Sequence, residues 1–311
     1  MDDKASVTVF APSTVANVGC GYDILGLALN TYGDTITLAK TEGQLEVRSI
    51  KGAVGLPMDP KQNVATVAIQ SMLDELNSSQ GFVVEIEKNI APGSGLGSSA
   101  SSSAAAVFAA NELLGRPYTR MELVRFAMEG ERAASGVAHA DNVAPSLLGG
   151  FTVVRGYDPL DVFTIPYPEE LQVVIFFPQL SVKTSDAKRI LKHQINLQDA
   201  VTQWGNIAGL VSGLIMKDFD LIGRSLQDVI VEPVRSILIP FYDEVKSHCL
   251  EKGALGFNIS GSGPSMFALS NNETLAHALT KDIMQFYKKY DIELMSFVST
   301  INHKGAEIIQ Y

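Results

Sequence analysis

The sequence predicts an α+β fold, and three observations carry the prediction. Strand-like and helix-like patterns are mixed in both halves of the 311 residues. No repeat of fixed period, heptad run or low-complexity tail organises them. A content of 46% hydrophobic and 19% charged residues suits a chain that buries a sizeable core. At roughly 150 residues per domain this length allows two domains, and the proline-rich, acidic stretch over residues 157–170 is the expected boundary.

The elements follow in order. Residues 7–10 and 34–38 are rich in β-branched side chains and partly alternate, as half-buried strands do. Residues 61–76 place Val64, Val67, Ala68, Met72 and Leu76 at helical spacing. Over 82–87, Val84 and Ile86 face away from Glu85 and Glu87, a strand pattern. An Ala-rich helix follows and runs to Leu114, with Ser98 or Ser99 as its expected cap and Gly115 and Pro117 as its stop. Thr119 and Glu122 have capping-box spacing and open a helix carrying Leu123, Phe126 and Ala127. Strands are expected at 151–155 and 171–177, then helices over 186–218 and onward to 252. Strands at 256–260 and 265–269, a helix at 273–290 and a strand at 293–300 complete the chain. Trp204 and the nine methionines are expected in core or edge packing.

Charge and cysteine content exclude several classes. Lys and Arg total 24 against 34 Asp and Glu, a net charge of −10, opposite in sign to a protein built around a phosphate backbone. Nucleic-acid binding is therefore disfavoured. Cys20 and Cys249 are too few for a disulfide framework or a four-ligand zinc site and fit a reducing compartment. The acidic N-terminus lacks the layout of a signal peptide. The longest uncharged run, 89–111, is interrupted by Pro92 and three glycines and is no membrane span. A soluble, cytoplasmic protein is expected.

The densest chemical signal is Pro92, Gly93, Ser94, Gly95, Leu96, Gly97, Ser98 and Ser99, set between a strand and a helix. Glycines let successive N–H groups point at one spot, and the helix N-terminus adds partial positive charge, so a phosphate is the natural occupant. A plain strand-to-helix turn is the competing reading. A Walker A loop fails because no lysine follows Gly97, and a dinucleotide loop fails on glycine interval. The serines after Gly97 suit magnesium beside a phosphate. A second stretch gathers Glu131, His139, Asp141 and Asn142 among small residues, and its oxygen donors suit magnesium better than zinc. Each one alone reads equally well as an exposed acid or a turn-forming residue. Near the N-terminus, Asn17, Gly19, Gly21 and Asp23 share one loop; near the C-terminus, residues 260–265 read as a glycine-rich hairpin turn.

Taken together, these blocks resemble the GHMP small-molecule kinase superfamily, whose signature Pro-x-x-x-Gly-Leu-Gly-Ser-Ser-Ala is matched here by Pro92 through Ala100 with one residue fewer after the proline. The stretch from Ala11 to Asp23, the run from His139 to Pro145 with Gly149 and Gly150, Glu232-Pro-Val-Arg235, and Ser260-Gly-Ser-Gly-Pro264 follow in family order over almost the whole chain. Within the superfamily the similarity is greatest to its homoserine-phosphorylating members. The resemblance implies an N-terminal ATP-binding domain over 1–160, like the second domain of ribosomal protein S5, and a ferredoxin-like C-terminal domain over 161–311, with the active site between them. It implies ATP and Mg²⁺, L-homoserine as acceptor in threonine biosynthesis, no nucleic-acid or membrane partner, and a homodimer.

Residue by residue, the resemblance places the loop from Pro92 to Ala100, with Ser101 and Ser102, around the ATP phosphates. Ser98 or Ser99 and Glu131 hold magnesium, and Asn63 contacts the base. Asn17, Asp23, His139 and Asn142 line the amino-acid pocket, with Asp23 on the ammonium and Asn142 on the hydroxyl. Arg235 pairs with the carboxylate, where its planar fork suits the anion. Thr184 approaches the transferred phosphate. Lys188 stands where the family often has a second carboxylate-binding arginine, with Arg189 next; lysine supplies charge without the fork. Cys20 replaces a more usual proline. Asn142, rather than an aspartate, at the hydroxyl implies transfer without a dedicated carboxylate base. A mevalonate or sugar kinase of the same superfamily, and a sensor that binds ATP without transfer, stay open as alternatives.

Overall fold

The computed structural model describes residues 5–180, 187, 189–191 and 194–311. Its first sheet is organised by a long antiparallel pair, β1 (Ser6–Ala16) and β2 (Leu25–Thr41). Val7, Val9 and Ala11 are buried on alternate positions, as the sequence pattern requires. The register slips between Pro12 and Thr14. Gly33, paired with Pro12, lies so close to β1 that a Cβ there would sit 2.2 Å from the Ala11 carbonyl oxygen. Past this irregularity, Val15, Leu25 and Leu27 pack in a core shared with the second sheet.

The other half of β2 pairs with β4 (Gly81–Glu87), and β3 (Glu46–Lys51) runs parallel to β4 at the edge. β5 (Phe151–Tyr157) pairs with the start of β2, and β6 (Leu160–Ile165) forms a hairpin with β5. The last strand, β11 (Glu307–Gln310), returns to the outer edge of β1. The first sheet thus draws strand residues from both sides of the 160/161 division. The second sheet is antiparallel, in the order β10 (Leu294–Ser299), β7 (Gln172–Pro178), β9 (Met266–Ser270) and β8 (Gly256–Ile259).

Four helices pack on the first sheet: α1 (Val64–Glu75), α2 (Ser98–Leu113), α3 (Arg120–Ser135) and α4 (Ala140–Leu148). Ile69, Met72, Val107, Leu123 and Val143 meet Val7, Val9, Ile36 and Leu38 there. α2 sits at the centre, touching α1, α3, α4, β1 and β2, and nearly all of it is buried. Its residues from Ser98 to Ala106 are all alanine or serine, small enough to let those neighbours approach closely. The capping box of α3 forms as expected, with Thr119 accepting from the Glu122 N–H. The cap of α2 does not. Its N-cap is Gly97, in the left-handed region at φ 69°, with no side-chain cap. Ser98 instead donates its hydroxyl to the Ile90 carbonyl at 2.9 Å, so the first N–H groups of α2 keep no side-chain acceptor.

On the second sheet, α5 (Leu197–Met216) and α6 (Phe219–Ser225) cover one face, where Leu210, Leu214 and Ile222 meet Val173, Ile175 and Phe267. A four-residue turn, α7 (Glu232–Arg235), precedes α8 (Tyr242–Glu251) and α9 (Glu273–Lys288). These two cover the other face, where Val245, Ile283 and Tyr287 meet Val174 and Phe176. Alternate residues of β7 therefore feed two cores, the mark of a fully buried strand. Residues 187 and 189 are helical, as expected from residue 186, but the pattern is interrupted: residues 194–196 are not helical, and α5 begins at Leu197, where the Asn196 side chain caps the Gln198 N–H. Trp204, expected in packing, is 59% exposed on α5. Among the described residues no helix is long and apolar enough to cross a membrane.

Candidate active site

A cavity of about 450 Å³ opens where the start of α2, the loop after β1, the first turn of α4, α7 and the β8–β9 turn converge. Its phosphate-sized end is the glycine loop. Gly93, Gly95 and Gly97 all adopt positive φ, and two of them are held by contacts that leave no room for a side chain. A Cβ on Gly95 would meet the Ser260 carbonyl at 2.5 Å, and one on Gly97 would meet Thr14 Oγ1 at 2.0 Å. The loop is clamped from both sides: the Thr14 N–H donates to the Leu96 carbonyl, Ser260 donates its hydroxyl to the Gly95 carbonyl, and the Ser265 N–H donates to that of Ser94. The uncapped N–H groups of α2 and its dipole face this end, which suits an anion.

Of the residues expected around the phosphates, Pro92, Gly93, Gly95, Gly97, Ser98, Ser99 and Ser102 line the cavity. Ser94, Leu96, Ala100 and Ser101 are buried behind it. Ser101 donates to the Ala11 carbonyl and accepts from the Asp34 N–H, tying α2 to the sheet. Asn63 reaches the wall, but its amide is engaged in structure: Oδ1 caps α1 at the Ala65 N–H, and Nδ2 donates to the Pro57 carbonyl. Leu56 and Pro57 beside it give that end apolar surface.

An ion pair under the loop escaped the sequence reading. Lys88, at the end of β4, is buried and bonds Asp34, the Ser98 carbonyl at 2.7 Å and the Ser102 hydroxyl at 3.0 Å. Asp34 in turn accepts from the N–H groups of Asn89 and Ile90 and from Ser102. Burial pushes the Lys88 ammonium below its usual pKa, against the opposing pull of Asp34. The signal was present: a charge inside the β-branched run of β2 and a lone lysine opening the uncharged stretch.

A second group of lining residues carries charges of both signs. Asp23, at φ 57°, donates its N–H to Asn17 Oδ1, and Asn17 Nδ2 donates to the Gly261 carbonyl. His139 Nδ1 lies 3.4 Å from Asp23 Oδ1. Arg235 is 4% exposed yet lines the cavity, with Nε on the Ala187 carbonyl and Nη1 on that of Gly261. Its guanidinium lies 5.1 Å from the Tyr22 ring centroid. Of five guanidinium N–H groups, those two bonds leave others for a ligand. The turn that presents Arg235 is built by Asp228, whose carboxylate accepts from the N–H groups of Ile230, Val231 and Glu232. Burial raises the Tyr22 hydroxyl to about 12, with Asp23 adding to the effect.

Glu131, Asp141 and Asn142 also stand at the wall. Asn142 Oδ1 accepts from Thr14 Oγ1 at 2.7 Å, so its Nδ2 is the group offered to a ligand. Glu131 is 6% exposed and lines the same cavity as Ser98 and Ser99. Among the described residues no group of three His, Cys, Asp or Glu forms a metal cage. One carboxylate with serine hydroxyls fits an ion held mainly by phosphate oxygens and water. Arg189 is exposed and does not line the cavity. Thr184 and Lys188 lie outside the described residues.

Comparison with known proteins agrees with this geometry. The family model described as "GHMP kinases N terminal domain" matches residues 63–150, and "GHMP kinases C terminal" matches 209–289. A homoserine kinase of Chloroherpeton thalassium is 45% identical over 97% of this chain and 99% of its own length. The crystal structure of homoserine kinase from Cytophaga hutchinsonii is 48% identical, with a TM-score of 0.96 over 99% of both chains. Lactococcus lactis galactokinase, at 16% identity and a TM-score of 0.71 over 98% of this chain and 96% of its own, shares the fold. With a phosphate-shaped glycine loop, both halves of the family pattern and full-length relatives at this identity, the chain belongs to the homoserine kinase family of the GHMP kinases.

Proposed function

We propose that this chain transfers the γ-phosphoryl group of ATP to the side-chain hydroxyl of L-homoserine. The observation that carries the reading is the pairing, in one cavity, of a clamped phosphate loop with Asp23 and Arg235. An α-amino acid is a zwitterion, and those two residues match its two charges. Neither a sugar nor mevalonate, which lacks an ammonium group, uses both.

In this reading the phosphates lie on the loop at residues 92–102 and the N-terminus of α2, and the base lies toward Leu56, Pro57 and Asn63. Glu131 with Ser98 or Ser99 holds magnesium, which when bound neutralises charge on the phosphate oxygens. Asn142 donates from Nδ2 to the homoserine hydroxyl and holds it in line with the γ-phosphorus. The new bond joins the hydroxyl oxygen to the γ-phosphorus as the bond from that phosphorus to the β–γ bridging oxygen breaks and ADP leaves, and the hydroxyl proton passes through the transferred phosphoryl oxygens to solvent. Positioning and charge stabilisation carry the rate, as a loose transition state allows. Thr184 at the phosphate and Lys188 at the carboxylate rest on the resemblance alone. The division into units over 1–160 and 161–311, and a cytoplasmic location, belong to the same proposal.

A homodimer also belongs to it. On α5, Leu197, Val201, Trp204, Ala208 and Ile215 form a stripe at helical spacing, and all five are exposed. A second copy related by a twofold axis would cover the stripe.

The test is ATP consumption with magnesium in parallel with L-homoserine, mevalonate, galactose and no acceptor. Turnover with L-homoserine alone is expected. Turnover with another acceptor would move the reading to a sister kinase, and binding of ATP and L-homoserine without product would favour the sensor.

A further inference from the structure

Asp141 has no part in the reading above, yet it is the most deeply buried acid at the cavity wall, 2% exposed. It stands in the first turn of α4, and its Oδ1 has no hydrogen-bond partner among the described residues. A buried carboxylate oxygen without a donor is costly unless something supplies one. Asp141 lines the cavity, so a ligand bound there is the available donor.

The surroundings say which kind. The Ala140 N–H donates to the Tyr157 hydroxyl at 3.3 Å, and that hydroxyl donates to the Asp23 carbonyl at 2.9 Å. One phenol therefore ties the backbone beside Asp141 to the backbone of Asp23. β2 is seated against the same turn: a Cβ on Gly26 would lie 1.8 Å from the Asp141 carbonyl oxygen. Burial raises the Asp141 carboxyl to about 7; Asp23 and Glu131 add to the rise, and His139 opposes it. Asp23 and Asp141 raise the Tyr22 hydroxyl further and Arg235, 5.1 Å from the ring centroid, opposes them, so all three charges act on one side chain of the pocket. Two carboxylates and a guanidinium lining one pocket offer partners for a cation next to an anion.

We infer that Asp141 is a second acceptor, beside Asp23, for the ammonium group of the amino-acid substrate, and so helps select an amino acid over its deaminated analogue. The inference rests on the amino-acid reading of this pocket. It differs from a role at the hydroxyl, which would make Asp141 act on turnover rather than on recognition.

The experiment titrates the full chain and its Asp141→Asn variant with L-homoserine, with 4-hydroxybutyrate, which keeps the carboxylate and hydroxyl but lacks the ammonium, and with ATP. Steady-state rates accompany the titrations. Loss of one charge-assisted acceptor should weaken L-homoserine by about 10-fold or more, leave 4-hydroxybutyrate and ATP binding in place, and place the loss in KM rather than kcat. The same discrimination between the two acceptors in both proteins would overturn the inference. So would a collapse of kcat with discrimination retained, which would put the carboxylate at the hydroxyl. If the wild-type chain binds ATP but not L-homoserine, the amino-acid reading falls and takes the inference with it. Should Asp141→Asn not fold, Asp141→Ser reads the same difference.

Discussion

Gly97 illustrates how a single residue joins backbone geometry to chemistry. It stands at φ 69° as the N-cap of α2, and the Thr14–Asn142 hydrogen bond fills the space where a Cβ would go. Gly97→Ala must therefore strain the backbone and break or move that bond. The left-handed conformation alone costs an L-residue about 1–2 kcal/mol. Displacing Asn142 by an ångström adds a loss of about 10²-fold in kcat. Thermal unfolding and initial rates check both parts, and a variant with native kcat would separate Asn142 from catalysis. Gly93→Ala is the contrast: its φ is 75°, but nothing lies within 4 Å of its Cβ, so it carries the backbone cost alone. Asn63 teaches the reverse. The resemblance places it beside the base, and in the fold the same amide caps α1 and holds the Pro57 carbonyl.

At the scale of elements, the start of α2 is held in place by a buried ion pair. Lys88 links the end of β4 to the first turn of α2, while Asp34 fixes the two residues after Lys88 to β2. Each charge is tolerable because the other is there, with further hydrogen bonds around it. Lys88→Met leaves the Asp34 carboxylate, 0% exposed, without its cation, and a loss of about 3–5 kcal/mol is expected in urea unfolding. The double variant Lys88→Met/Asp34→Asn should recover a large part, because the uncompensated charge is gone. A single variant as stable as the wild type would mean that the pair does not organise the loop.

For the whole molecule, the unanswered surface is α5. A 20-residue helix is about 30 Å long, enough for a twofold contact of ordinary size. Trp204, 59% exposed at the middle of the stripe, is the natural centre of such a contact. Sedimentation of the wild-type chain should give twice its 33.5 kDa mass, and Trp204→Glu should give the monomer, since a charge there would be buried unpaired. A monomeric wild type would dispose of the dimer. Both cysteines are buried, and burial raises their thiols to about 12, so neither surface chemistry nor a disulfide enters this assembly.

The sequence by itself determined the features that depend on neighbours along the chain. Alternation placed β1, β2 and β4, the Thr119–Glu122 spacing formed the capping box, and the glycine loop between strand and helix was recognisable from its local conformational demands. The ordered blocks also identified the family, since each motif is short and contiguous. Tertiary structure alone decided which polar groups meet. Asp34 and Lys88 are 54 residues apart, Thr14 and Asn142 are 128 apart, and Asn17 and Gly261 are 244 apart. No periodicity encodes such pairs, because they form only when separate elements are packed and burial makes each unpaired polar group costly. The missed cap of α2 has the same origin: Ser98 is a good capping residue locally, but the fold turns its hydroxyl to Ile90 and leaves the helix end open.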